Sequence, residues 1–299
     1  MKKTHRIDSG VFGKYFFIFI GPALLIYFMF SILPFFSTIY YSFTDYTDIK
    51  NTNLNFVGIQ NYLRVFNTPL MVGAIKNSVI YAVIMTVMQT ACGLPLAVLV
   101  NKRMRTRNLQ RAVFFFPAVF SPLIIGFLWS FILSSSNYGL INNILTSMGL
   151  RVFNFFSMER ALYSVLLSQI WQWTGWGMVV FLANLQSIPT ELYEAASIDG
   201  TTGLQCFFRV TLPLMCPSVK IIVVTALIGG MKVFDIIYAM TKGGPGDATQ
   251  TVMTVMMKRG VSDGFYSTGA AFGVLFFVIV LIISALATKL FGKWSKAVQ

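Results

Sequence analysis

Residues 15–39 read YFFIFIGPALLIYFMFSILPFFSTI, and no charged side chain occurs between Lys14 and Asp45. The run exceeds the roughly 20 apolar residues that carry an α-helix across a ~30 Å hydrocarbon core. Further runs follow at Val79–Val100, Ala112–Leu133, Ala161–Leu185, Ile221–Met240 (interrupted by Lys232 and Asp235) and Gly269–Ala287. Short strands of alternating polarity, the mark of an outer-membrane barrel, are absent. The reading is an all-α membrane protein with six transmembrane helices. The first run is much longer than the roughly 7–15 apolar residues of a cleaved leader, and no small-x-small site follows the Pro34–Tyr41 stretch, so it is expected to be retained.

Composition agrees. Of 299 residues, 56% are apolar and 11% charged, where a soluble domain carries about 25% charged. Such a chain has too few polar side chains to coat a globule and too much apolar surface to stay disordered in water. The net charge of +13 raises the question of a nucleic-acid partner, and the distribution answers it. With a cytoplasmic amino terminus, one face receives Lys2, Lys3, Arg6 and Lys14, the short connection with Lys102, Arg103, Arg105, Arg107 and Arg111, and then Arg209, Lys220, Lys289, Lys293 and Lys296. The basic excess is a topology signal, both termini are expected in the cytoplasm, and no nucleic acid is needed to explain it. Cys92, Cys206 and Cys216 match no zinc spacing, and two of them fall on the reducing side, so no disulfide is expected. The single histidine is His5, in the tail. No G-x-x-x-x-G-K-[ST] loop occurs, so the chain itself is expected to bind neither ATP nor a metal.

The organisation expected is a tail (1–14), the first helix with its external connection (15–78), a five-helix core (79–291) and a second tail (292–299). The 56–66 stretch is expected along the membrane surface. One cytoplasmic loop, 186–217, breaks the charge rule. It carries Glu191, Glu194 and Asp199 against a single base, Arg209. Thr190 after Pro189 reads as an N-cap, the two glutamates favour the positive end of the helix dipole, and Asp199-Gly200 supplies a stop, giving a short helix about Glu191–Asp199. A capped surface helix with no further task accounts for that pattern as well.

ELYEAASIDGTTGLQCFFRVTLPLMCP (Glu191–Pro217) resembles the EAA loop of binding-protein-dependent ABC importer permeases: Glu-Ala-Ala, three residues, Gly, nine residues, then Ile-x-Leu-Pro. Glu194, Ala195, Ala196, Gly200, Leu212 and Pro213 match, and Val210 stands for the usual Ile. DIIYAMTKGGPGDAT (Asp235–Thr249), FVGIQNY (Phe56–Tyr62) and WQWTGWGMVVFLANLQSIP (Trp171–Pro189) are similar to segments of the carbohydrate branch. The resemblance implies a type I importer permease bundle (MetI-like), a non-catalytic subunit similar to the maltose, glycerol-phosphate and multiple-sugar permeases. It lacks the extra amino-terminal helices and large external domain of the maltose-type long subunit. It further implies a bacterial or archaeal cytoplasmic (inner) membrane and a second permease subunit forming a heterodimer. Two ATPase subunits would hold ATP and Mg, and an extracytoplasmic sugar-binding protein would deliver the cargo. In that setting Glu194, Ala195, Ala196, Asp199, Gly200, Leu212 and Pro213 would dock on the ATPase. The small residues allow close approach, and Glu194 offers a charge for a basic partner.

On the fourth helix Gln169, Gln172, Trp173 and Trp176 share a face by spacing. Trp rings beside amides suit the apolar faces and hydroxyl rims of sugars, and a polar amide at membrane depth is expected to face protein or a watery cavity. Interfacial belts and bundle packing use tryptophan too. By the resemblance, Gln169 and Trp176 match sugar-touching positions of the maltose permease. Gly230 and Val233 match cavity positions that are polar there, which argues against maltose-like specificity. Lys232 and Asp235 stand at i, i+3 on the fifth helix, either paired with each other or facing a water-filled path. The competing reading is a six-helix secondary transporter or channel. Ion coupling there would require intramembrane acids or inverted repeats, and only Asp235 is available.

Overall fold

Some of the apolar runs stay continuous as helix, and others break and fold back. The computed structural model describes residues 9–46, 54–102, 104–136 and 138–298, with side chains from Ile18 to Gly292. Expectations resting on Lys2, Lys3, His5, Arg6 and Arg103, and on the side chains of Lys14, Lys293 and Lys296, lie outside what is described. The first run passes through α1 (Ser9–Tyr27), a π-helical turn (Phe28–Ile32) and α2 (Leu33–Ser42). Asn55 donates from its backbone and its side chain to the Asp45 carboxylate, closing the next turn and holding that carboxyl below its usual range. In α3 (Gln60–Asn67), buried Asn61 donates to the carbonyls of Ser42 and Thr44 at 2.9 and 2.7 Å, which ties the 56–66 stretch to the end of α2. α4 (Pro69–Asn101) starts on proline, whose missing N–H would have no intrahelical partner in any case. It therefore begins well before the expected Val79.

The third run is not the single straight span expected. It forms α5 (Arg107–Phe115), a 3₁₀ turn (Phe116–Val119) and α6 (Pro122–Ile132), bent by 97° at the break. Pro122 offers no N–H and drives Ser121 into extended backbone (φ −60°, ψ 138°), and the Ser121 hydroxyl then accepts from the Leu123 N–H. α7 (Leu140–Ser147) lies in the following connection, and α8 (Ala161–Ser187) is continuous over ~40 Å. After it come α9 (Thr190–Ile198), α10 (Gly203–Cys206), a π-helical turn (Phe207–Thr211) and α11 (Leu212–Leu214). The fifth run is also corrected. α12 (Cys216–Met231) stops and α13 (Asp235–Met240) restarts beyond a gap in which Phe234 takes φ −139°, ψ −60°. α14 (Val252–Val255), a π-helical stretch (Met256–Ser262) and α15 (Tyr266–Val298) complete the described chain.

Among the described residues, Ile18–Ser42, Pro69–Asn101 and Tyr266–Gly292 are each long and apolar enough to cross a membrane, and two bent pairs raise the number to five. α8 is as long but carries buried amides and hydroxyls, because other helices surround it. With α8 counted, all six apolar runs lie in helix, two of them broken. The most apolar part of the first span is wholly unburied within this chain, so that helix sits at the periphery. α8 is central: a Cβ at Gly175 would overlap the Phe114 carbonyl, and one at Gly93 would lie 3.3 Å from the Gly177 backbone. Close approach of this kind lets α4 and the end of α5 close on α8. Buried clusters then fill the gaps, one around Tyr81, Ile125 and Ile236, one around Val65 and Phe272, and one around Met178 and Phe181.

Candidate functional site

A cavity of about 310 Å³ opens where α4, α8 and α12 face one another. Helical spacing builds its wall. Tyr81, Met85 and Gln89 recur at i, i+4 and i+8 on α4, and Gln169, Trp173 and Trp176 at i, i+4 and i+7 on α8. Thr225, Ala226, Gly229 and Gly230 come from α12, and Val233 from the gap beyond it. The Trp173 and Trp176 rings meet nearly at right angles (84°, centroids 6.3 Å apart) and form a corner. Gln89 donates from Nε2 to the Trp173 carbonyl at 3.1 Å, and the Tyr81 hydroxyl donates to Gln169 Oε1 at 3.4 Å. Every residue of this wall is uncharged. Two perpendicular indoles beside two amides and a phenol can pack the apolar faces of a ring while exchanging hydrogen bonds with its rim.

Gln169, Trp173, Trp176, Gly230 and Val233 thus come together on one wall, while Gln172 does not join them. It is wholly buried and turned toward the break in the third run, donating to the Phe120 carbonyl at 2.9 Å. Trp171 likewise leaves the cavity and packs edge-on against Trp129. Lys232 and Asp235 are exposed and stand outside the wall. The break between α12 and α13 removes the helical register that an i, i+3 pair needs, and among the described residues the one ion pair is Arg259 with Asp263. Sequence reading missed Tyr81 and Gln89. The signal was there, two polar-tipped side chains on one face of an otherwise apolar run.

The second assembly of expected residues lies after α8. α9 has the expected extent to within a residue, but Pro189 rather than Thr190 occupies the N-cap, and no side chain caps it. Its other end closes as a Schellman turn: Thr201 N–H bonds to the Ala196 carbonyl (3.1 Å), Gly200 N–H bonds to the Ser197 carbonyl (3.1 Å), and Gly200 takes φ +71°. The Thr201 hydroxyl also donates to Ala196, and a capping box between Thr202 and Gln205 starts α10. Ala196 is buried and the Thr211 hydroxyl donates to Tyr193, which fixes α9 against the π-helical turn. Leu212 and Pro213 begin α11 half-buried, and Asn184 of α8 donates to the Leu214 carbonyl at 3.2 Å. Glu194, Ala195, Asp199 and Gly200 face outward. So do Ile198 and Leu204, 86% and 72% exposed, an apolar pair that charge and motif reading passed over.

Residues 68–296 match the family described as the binding-protein-dependent transport system inner membrane component. The chain belongs to this family. Among its relatives, the trehalose/maltose transport system permease protein MalF of Thermococcus litoralis is 33% identical over 275 residues, covering 91% of this chain and 92% of that protein. The arabinooligosaccharides transport system permease protein AraP of Halalkalibacterium halodurans is 30% identical over 286 residues, covering 95% and 89%. A chain of a bacterial alginate ABC transporter, solved in complex with an alginate pentasaccharide-bound periplasmic protein, superposes with a TM-score of 0.85 at 23% identity over 98% of this chain and 99% of that one. The fold is therefore that of a permease, an integral membrane component rather than an ATPase. Within this permease the cavity lies between α4, α8 and α12, and the α9 turn follows the end of α8.

Proposed function

We propose that this permease carries an uncharged sugar or oligosaccharide through the α4–α8–α12 cavity. Cargo would arrive from an extracytoplasmic sugar-binding protein, and ATP would be hydrolysed on two separate ATPase subunits. The observation that carries the reading is the wall itself, Trp173 and Trp176 set at right angles beside Gln89 and Gln169, with no charged group among its residues. The relatives named for arabinooligosaccharides and for trehalose and maltose support the same cargo class. A second permease subunit, different in sequence, completes the pathway. The outward residues of the α9 turn, with Leu212 and Pro213 behind them, receive the ATPase, and both termini lie with that turn in the cytoplasm, where the basic residues gather.

Uptake into proteoliposomes tests the cargo. Wild-type transporter is expected to accumulate neutral oligosaccharides only with binding protein and ATP. Trp176→Ala and Gln169→Ala are expected to lose uptake while assembly and binding-protein-stimulated ATPase persist. Unchanged uptake in both variants would remove the cavity from the pathway.

A further inference from the structure

The connection between α13 and α14, with its Gly243-Gly244-Pro245-Gly246 turn, is not a solvated loop. Thr249 and Thr251 are wholly buried and Gln250 nearly so. Their bonds run inward to two other parts of the bundle. Asn77 of α4 donates to the carbonyls of Ala248 and Gln250 at 3.1 and 2.9 Å, and the Ser78 hydroxyl accepts from the Val252 N–H at 3.0 Å. The Thr241 and Thr249 hydroxyls bond to each other at 2.7 Å, and Thr249 donates to the Gly244 carbonyl at 2.9 Å. Thr254 Oγ1 accepts from the Thr251 N–H at 2.8 Å, which orients the remaining group, the Thr251 hydroxyl. That hydroxyl donates to the Val233 carbonyl at 3.0 Å.

Val233 is the cavity residue that belongs to no helix. α13 starts its ladder with Tyr238 N–H on the Phe234 carbonyl (2.9 Å), one residue too late to take up the carbonyl of Val233. On the other side of the gap, Gly230 is pressed against α4 so closely that a Cβ there would lie 2.6 Å from the Ala82 Cα. One edge of this part of the wall is therefore fixed by backbone contact; at the other the Val233 side chain packs among Tyr81, Met85 and Ile236, its N–H reaches the Gly230 carbonyl at 3.4 Å, and its own carbonyl is held by one hydroxyl from a turn outside the cavity.

We infer that Thr251 is a positioning residue for the cavity: its hydroxyl sets where Val233 stands, and through Val233 which sugars the wall accepts. The inference rests on the cavity being the sugar path. It places control of selectivity in a side chain that no sugar touches and gives the glycine-rich turn a task, that of holding Thr251 against Val233.

The test uses the whole transporter in proteoliposomes, in a Cys92→Ala, Cys206→Ser, Cys216→Ala background with ATPase activity confirmed. Val233→Cys reports on the held edge. Gly229→Cys reports on the same wall within intact α12, at a site where a Cβ meets no atom within 4 Å. Adding Thr251→Val, which keeps the shape and deletes the donor, is expected to raise modification at position 233 by a water-soluble methanethiosulfonate about fivefold, with position 229 within about twofold. Thr251→Ser, which restores the donor, is expected to return position 233 to the parent rate. The ratio of maltotriose to raffinose uptake is expected to shift about threefold in Thr251→Val at unchanged ATPase activity. An unchanged rate at 233, an equal rise at both positions, or failure of serine to rescue would each overturn the inference. Failure of the cavity reading looks different: neither maltotriose nor raffinose would then slow modification at position 229 in the Thr251 parent.

Discussion

Gln172 of α8 holds the carbonyl of Phe120 at 2.9 Å and takes no part in the cavity wall. The carbonyl lies at the 97° break in the third run, and α6 does not take it up, since its ladder begins with Ile125 N–H on the Ser121 carbonyl. Gln172 Oε1 is itself buried without a hydrogen-bond partner among the described residues. Two substitutions should therefore rank in order. Gln172→Glu sets an acceptor against the carbonyl and is expected to destabilise by about 1–3 kcal/mol or more. Gln172→Met also removes the unpartnered oxygen, which offsets part of the loss. Thermal midpoints of the purified transporter should fall further for Glu than for Met, with the half-saturating sugar concentration unchanged in Met. A raised half-saturation at an unchanged midpoint would put Gln172 back in the cavity.

Gly175 and Gly73 make opposite predictions from the same substitution. Alanine at Gly175 drives its Cβ into the Phe114 carbonyl, backbone against backbone, with no flexible side chain to yield. Overpacking of this kind exceeds the usual ~1–3 kcal/mol range, and assembled transporter should be lost from the membrane fraction. Alanine at Gly73 meets no atom within 4 Å on an α-helix, and there the gain in helix propensity is up to ~1 kcal/mol. Equal expression of the two variants would contradict the close approach of α5 to α8.

Much of this architecture was legible because the membrane sets helix length: runs such as Ala161–Leu185 return almost residue for residue as α8. What escaped was where a run breaks. Pro122 and Pro117 stood in the third run, but Pro22 and Pro95 lie inside helices that continue, so proline alone does not announce a bend. The difference lies in packing, since Gln172 reaches Phe120 from another helix. The same reason hid the second break, where Thr251 satisfies Val233 from a turn far along the chain. Helical spacing put Gln172 near the face of Gln169, yet a carbonyl left free elsewhere decided its direction.

Gly200 separates a turn requirement from a contact requirement. Its φ of +71° strains any residue with a Cβ by roughly 1–2 kcal/mol, least for asparagine, but no atom of this chain lies within 4 Å of a Cβ there. Gly200→Asn should keep the turn and leave the subunit inserted. If the turn docks on an ATPase as proposed, the added bulk at position 200 is expected to lower uptake relative to ATP hydrolysis. Ile198→Glu, at the neighbouring 86% exposed position, should weaken co-purification of the ATPase. Full coupling in both variants would leave α9 as a surface helix only.

Gln89 offers a direct test of the wall, because one amide both lines the cavity and holds a wall residue in place. Its Nε2 supports the Trp173 carbonyl at 3.1 Å while the side chain lines the cavity, and it is almost fully buried. Methionine matches its length and removes both the donor and the amide. Loss of one neutral hydrogen bond, about 1.4 kcal/mol, corresponds to a tenfold rise in the sugar concentration for half-maximal uptake. Gln89→Glu preserves an acceptor but adds a charge at membrane depth, so uptake of neutral sugar should fall further than in the methionine variant. Uptake is to be measured against binding-protein-stimulated ATPase in the same vesicles. If methionine leaves the sugar dependence where it was, Gln89 holds Trp173 without touching cargo, and the recognition surface contracts to Gln169 and the two indoles.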